Sequence, residues 1–432
     1  MNETMEDNST MLTSPDTMSY RCGAGLNSFH QEYAKMHGWA SLLVCIFGSI
    51  ANSLNIMVLS RREMSSPTNA ILTGLAVADL LVMMEYIPYA SHMYLYHRPR
   101  RDTYTYGWAV FVFFHSIFTQ VCHTISIWLT VTLAIWRYIA VAHPQRNREW
   151  CSFRRTVFAI AGAYVICPLI CLPGYFTTAL TSKVEILDSE GRSPNMTIYN
   201  ATIGNDTASA LGANKFVNST LWYVDLSETM KVNSLLNLAN FWMYSVVIKL
   251  IPCLALTILS LRLILALMEA KKRRKMLTTA TLVRTDEKNI DNNHSLDVVT
   301  NGKKSVKKKS SRLLDKERQT DRTTRMLLAV LLLFLLTEFP QGVLGLLSVI
   351  LGSGFFRTCY VKLGELMDIL ALINSAINFI LYCAMSRQFR TTFSQLFCRW
   401  KLFGRWTPVP RHPDNNGITG TNHTVTQSIL PM

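Results

Sequence analysis

Charge is what this 432-residue chain has least of: Asp, Glu, Lys and Arg make up 16% of it, against about 25% in an average soluble domain. With 49% hydrophobic residues, that deficit excludes an ordinary water-soluble domain and points to a membrane protein. No nucleophile–base pair or phosphate-cradling glycine loop stands out, so the chain does not read as an enzyme. Its intramembrane ionisable residues form no ring or relay, and no inverted repeat appears, which argues against a channel or transporter. His115 and His123 have no Cys or Asp at metal-ligand spacing; they read as packing histidines, and no metal is expected. No cleavable signal peptide is apparent, so the first apolar span is expected to insert as an uncleaved anchor.

Seven apolar spans remain: Trp39–Leu59, Ala70–His92, Phe111–Val141, Thr156–Leu180, Leu235–Leu267, Met326–Leu351 and Leu366–Met385. Each reaches the ~20 residues that a 30 Å hydrocarbon core demands. The expected fold is an all-α seven-helix membrane bundle. The net charge of +15 does not imply nucleic acid, because the bases cluster in loops beside apolar spans. With the N-terminus outside, inner segments hold 29 of the 43 Lys and Arg, as the positive-inside rule prefers. The sequons agree. Asn195, Asn200, Asn205 and Asn218 crowd the loop 181–234, and Asn2 and Asn8 lie in the tail, all on the face where glycosylation occurs.

Residues 1–35 read as a polar extracellular tail and 36–398 as the helical domain. The third inner loop, 269–325, starts with Lys-Lys-Arg-Arg-Lys and reads as helix extensions around a disordered centre. After the seventh span, Phe389, Phe393 and Phe397 recur at helical spacing opposite Arg387 and Arg390, which predicts a short amphipathic eighth helix on the inner membrane surface. Cys398 just beyond it is a candidate palmitoylation site. Residues 399–432 read as a disordered tail.

The third span is charge-free until Arg137, near its inner end. An arginine at membrane depth costs roughly 2.5–3.5 kcal/mol on insertion scales, less if it snorkels, so a function is expected of it. Arg137 sits in Trp136-Arg137-Tyr138. The first span carries Asn52, the second Leu-Ala-Val-Ala-Asp79-Leu, the fifth Pro252, the sixth Phe334 and Pro340, and the seventh Asn378-Phe-Ile-Leu-Tyr382. In this order and on these helices, the motifs resemble those of rhodopsin-like G-protein-coupled receptors. The stretches around Trp136, around Thr337-Glu338-Phe339-Pro340-Gln341-Gly342 and from Ala376 to Phe393 more narrowly resemble the invertebrate myosuppressin receptors. Those bind FMRFamide-related peptides ending in Arg-Phe-amide; the sex-peptide receptor group is a near relation.

The resemblance implies a secreted peptide ligand, coupling to a heterotrimeric G protein (inhibitory, Gi/o), arrestin and membrane lipids as partners, and the plasma membrane of neuronal or muscle cells. It implies a sodium and water cluster of Asp79, Ser126, Asn374, Ser375 and Asn378, since a hard cation takes oxygen ligands. It places Thr119, Gln120, Tyr244 and Gln341 in the ligand cavity, and Arg137, Tyr138, Pro252, Phe334, Pro340 and Tyr382 in activation. Glu338 stands where most of the family has tryptophan. The expectation is that Glu338, or else Glu85, Glu365 or Asp368, meets the ligand's arginine in a bidentate pair, with Glu338 the most important. A receptor for another neuropeptide class, sex-peptide or myoinhibitory-like, is the alternative. An opsin is excluded, because no lysine for a Schiff base occurs between Leu363 and Ser386.

Several family features are missing. The disulfide from the outer third helix to the second outer loop has neither half: Val112 stands at one position, and the loop lacks cysteine. Only Cys22 and Cys359 are extracellular, and an oxidising exterior makes them the natural pair. The acid that normally restrains the arginine is Trp136, the fifth-helix tyrosine is Ser260, and Thr320 replaces a sixth-helix acid. Packing of Trp136 or pairing with Asp321 is left to hold the resting state, and raised basal activity is expected.

Overall fold

Each apolar run is long enough to close its own backbone hydrogen bonds, which a hydrocarbon environment requires. Among the described residues seven membrane-length helices result: Ala24–Leu59, Pro67–Leu95, Tyr106–Ala142, Phe153–Thr177, Leu238–Glu269, Leu332–Gly352 and Phe356–Ala384. The shortest has 21 residues and spans about 30 Å. This computed structural model describes residues 20–194, 216–228, 234–290, 328–329, 332–352 and 354–397. Asn2, Asn8, Asn195, Asn200, Asn205, Thr320, Asp321, Cys398, the tail 399–432 and the polar centre of the third inner loop lie outside the described residues.

Local chemistry sets the helix starts. Ser66 caps the second helix by accepting from Asn69 N–H at 3.1 Å, and Pro67 takes the first helical position, where no N–H is needed. Thr105 caps the third through Trp108 N–H at 3.4 Å. The bundle packs an apolar core in which polar groups are embedded, and it is apolar on the outside. Leu43, Ile50, Phe158, Val165, Leu254 and Ile258 are exposed as a lipid-facing belt, while Asn52, Asp79, Lys249 and Glu338 are buried. The third helix packs against the second, fourth and fifth; the first packs on the second and seventh. Polar cross-links join neighbours: Asn52 donates to the Ser375 carbonyl at 3.1 Å and Tyr164 to the Gly74 carbonyl at 2.8 Å.

The eighth helix, Arg387–Phe397, buries Phe389 against Tyr382 and Phe379. The helix that contains the fifth span runs on to Ile290.

Several boundaries differ from the sequence reading. The first helix starts at Ala24, inside the stretch read as tail, beside the Cys22–Cys359 bridge to the seventh helix. The fourth ends at Thr177 instead of Leu180. There the chain turns into a strand, β1 (Thr178–Asp188), which pairs antiparallel with β2 (Phe216–Leu226) from Thr178↔Leu226 to Asp188↔Phe216. The hairpin was legible: β1 carries Thr178, Thr181, Val184 and Ile186, and β2 adds Phe216, Trp222 and Tyr223 to its β-branched residues, which fit a pleated surface. Asn218 is exposed on β2.

Candidate functional site

Four carboxylates were expected near an outward cavity, and the structure separates their roles. Glu85 is taken: His115 Nδ1 lies 2.7 and 2.8 Å from its oxygens, and Thr119 Oγ1 donates to it at 3.0 Å. His115 in turn stacks on Tyr89, ring centroids 3.7 Å apart. Glu365 lies 3.7 Å from His30 of the extended first helix. Glu338 is fully buried, and Lys249 Nζ donates to it at 2.7 Å. His123 Nε2 lies 3.0 Å from both Glu338 oxygens.

This corrects two expectations. Glu338 is not an open acceptor for a ligand's guanidinium, because the protein supplies its own cation. His115 and His123 are not packing histidines; each faces a carboxylate. Lys249 was the signal: a lysine in an apolar span needs an acid partner, and the sixth helix holds a single acid, Glu338.

Asp368 is different. It shares the inward stripe of the seventh helix with Leu372 and Ser375, at i+4 and i+7, yet it is solvent-exposed while those two are buried. An exposed carboxylate on an inward face marks an opening between the helices. Tyr89, Tyr94, Tyr244 and Tyr360 stand within its electrostatic reach. Among the described residues none hydrogen-bonds to it. Gln341 donates to the Tyr244 hydroxyl at 3.1 Å, tying the sixth helix to the fifth beside this opening. Gln120 faces Thr124 at 3.5 Å, one turn further in.

Below lies a second polar group. Ser126 Oγ donates to Asp79 Oδ1 at 2.5 Å, and Asn378 Nδ2 to Oδ2 at 3.2 Å. Asp79, Ser126, Asn374, Ser375, Asn378 and His123 are among the residues that line a cavity of about 10 Å³, close to the space one water-sized guest needs. Oxygen donors around one carboxylate fit a small hard cation.

The sequence matches the family described as "Serpentine type 7TM GPCR chemoreceptor Srw" over residues 39–301 and 298–400. The chain belongs to the seven-transmembrane G-protein-coupled receptors. It is similar to the G-protein coupled receptor dmsr-1 of Caenorhabditis elegans, 31% identical across 87% of this chain and 70% of that one. It is similar to the sex peptide receptor of Drosophila melanogaster, 28% identical across 91% and 80%. The FMRFamide receptor of Drosophila melanogaster is 24% identical across 88% and 58%. The receptor is a multi-pass plasma-membrane protein and not an enzyme.

At the Arg137 end of the bundle Trp136 Nε1 donates to Thr156 Oγ1 at 2.9 Å, which holds the third helix against the fourth. Arg137 Nε is buried with no hydrogen-bond partner among the described residues, and so is Ser260 Oγ. Tyr138 packs edge-on to His143. Phe334 is buried against Ile127, Val131 and Leu256, and Tyr382 is buried against the eighth helix.

At the opposite end of the bundle the hairpin is clipped without a covalent bond to the third helix. Arg100 Nη2 donates to Glu185 and to Tyr223, each at 2.9 Å, and the Tyr223 hydroxyl donates to Glu185 at 2.7 Å. Trp222 N–H donates to the Tyr104 carbonyl at 2.9 Å. The Tyr223 hydroxyl and Arg100 hold the Glu185 carboxyl below its usual value. Burial and the bond to Glu185 push the Tyr223 hydroxyl up to about 12.

Proposed function

We propose that this chain is a receptor for a secreted, amidated neuropeptide ending in Arg-Phe-amide, and that it signals through an inhibitory G protein and is engaged by arrestin. Asp368 carries the reading. It is an exposed carboxylate on the inward face of the seventh helix, with no hydrogen bond among the described residues, and tyrosines, His115 and Lys249 stand within its electrostatic reach. A guanidinium beside an aromatic ring matches both features, through a charge-assisted pair and cation–π or stacking contacts. The relatives named for FMRFamide and for sex peptide support a peptide ligand. The inhibitory coupling rests on the resemblance to myosuppressin receptors alone.

In this reading the peptide binds the cavity better in the active arrangement and shifts the population towards it, by no more than its differential affinity. Arg137 and the inner loops then meet the G protein. Sodium in the Asp79 cavity favours the resting arrangement, and the basic third loop is attracted to anionic lipid by ~1 kcal/mol per charge near the surface.

The test is a panel of amidated Arg-Phe peptides on cells expressing the full chain, reading cAMP and calcium. Each peptide is matched with its free-acid form and with a form carrying glutamine for arginine. Responses confined to the amidated, arginine-bearing forms are expected. Responses instead to sex-peptide or myoinhibitory-type sequences, which lack that terminus, would assign the receptor to the other class.

A further inference from the structure

The third, fifth and sixth helices meet at one buried ion cluster. Lys249 and Glu338 are 1% and 0% exposed, and His123 closes the group from the third helix at 3.0 Å. The local backbone is shaped for the meeting. Residues Met243–Leu250 form a π-helical stretch just ahead of Pro252, whose ring excludes an ordinary turn there, and wide turns of this kind recur at functional sites. On the sixth helix, Gly342 and Gly345 follow Glu338 by four and seven residues, on the same face. A Cβ at Gly342 would sit 2.9 Å from Leu250 Cδ2 and 3.3 Å from Lys249 Cβ; one at Gly345 would collide with Ser245 Oγ. These glycines let the two helices close until the charges touch.

We propose that Lys249, Glu338 and His123 form the restraint that holds these three helices in the resting arrangement. Any state that draws the fifth and sixth helices apart at this level leaves a buried charge unpaired, which is strongly unfavourable. The inner end offers no equivalent among the described residues, since Trp136 replaces an acid and Arg137 Nε has no partner. The restraint is also well placed to be released. Gln341 and Tyr244, beside the open cavity, lie within about one turn of Glu338 and Lys249 on the same two helices. His123 lines the Asp79 cavity as well, so the two polar groups share a wall. The proposal depends on membership of the receptor family and not on the identity of the ligand.

The test reads ligand-free nucleotide exchange in membranes carrying the full chain and a mixture of G-protein classes, normalised to receptor at the cell surface. Glu338→Gln and Lys249→Met are expected to raise basal exchange about fivefold or more, the scale of a typical coupling between sites. The double variant Lys249→Met/Glu338→Leu removes both charges at once, a replacement that buried ion pairs often tolerate. It separates restraint from folding: a restraint predicts normal surface level with raised basal exchange. Parental exchange from the double variant, or its failure to reach the surface, overturns the proposal. If the single variants are retained inside the cell, the double variant decides alone by the same two outcomes.

Discussion

The carboxylates Asp368 and Glu338 are expected to respond in opposite directions to loss of charge. Asp368→Asn keeps the shape of an open side chain but removes the charge that a ligand guanidinium would meet. A hydrogen bond to a charged group contributes about 1.5–3 kcal/mol, so potency for an amidated Arg-Phe peptide should fall about 10- to 100-fold. Basal signal should change far less than in Glu338→Gln, because Asp368 makes no hydrogen bond within the described residues and only its longer-range attraction to His115 and Lys249 is lost. Glu338→Gln leaves the cavity wall in place and frees Lys249 from its 2.7 Å contact. Its basal signal should rise, and its dose–response curve should stay or move to lower concentration, since a destabilised resting state costs the ligand less. Full curves on cells matched for surface expression make the comparison. A rightward shift for Glu338→Gln as large as that for Asp368→Asn would refute the reasoning and restore Glu338 as the ligand's acid.

Three further outcomes are expected. Glu185 has a lowered pKa in the folded hairpin, so its contribution is present above the free carboxyl value and is lost as pH falls through the folded one. Amide exchange in Thr178–Asp188, corrected for intrinsic rate, should rise across that acid range, and Glu185→Gln should remove the pH dependence. Trp136→Phe loses one hydrogen bond to Thr156, which keeps its bond to the Ser152 carbonyl at 3.0 Å; a loss of about 1 kcal/mol should lower Tm by about 2 °C in detergent. Replacing potassium by sodium should weaken agonist binding to the parent receptor and leave Asp79→Asn unaffected, as measured by competition at constant ionic strength.

The helices were legible because a span crossing hydrocarbon must be long, apolar and self-bonded, and those demands appear in a window of about twenty residues. The inward polar positions were legible for the same reason: Asp79 and Asn378 are expensive in lipid unless partnered. Partnerships across distant spans were harder to see. Glu338 and Lys249 are 89 residues apart, and only the approach of two helices, set by Gly342, Gly345 and the π-helical turn, shows that they meet. Glu338 was therefore read as open when it was already neutralised. Asp368 stood fourth among four acids in the sequence, and only its exposure on an inward face distinguishes it. The hairpin pairs two segments of one loop that stand far apart in sequence, so their partnership shows only in the fold.

The Cys22–Cys359 bridge joins residues 337 positions apart, from before the first helix to the start of the seventh. The first six helices thereby lie within one covalent ring, with the seventh continuing from the point where it closes, and the loop between the fifth and sixth helices is one arc of it. A protease cut in that loop opens the ring without releasing either piece: helices one to five and helices six to seven stay one molecule until a reductant is added. On a gel the nicked receptor should run as a single species without thiol and as two with it.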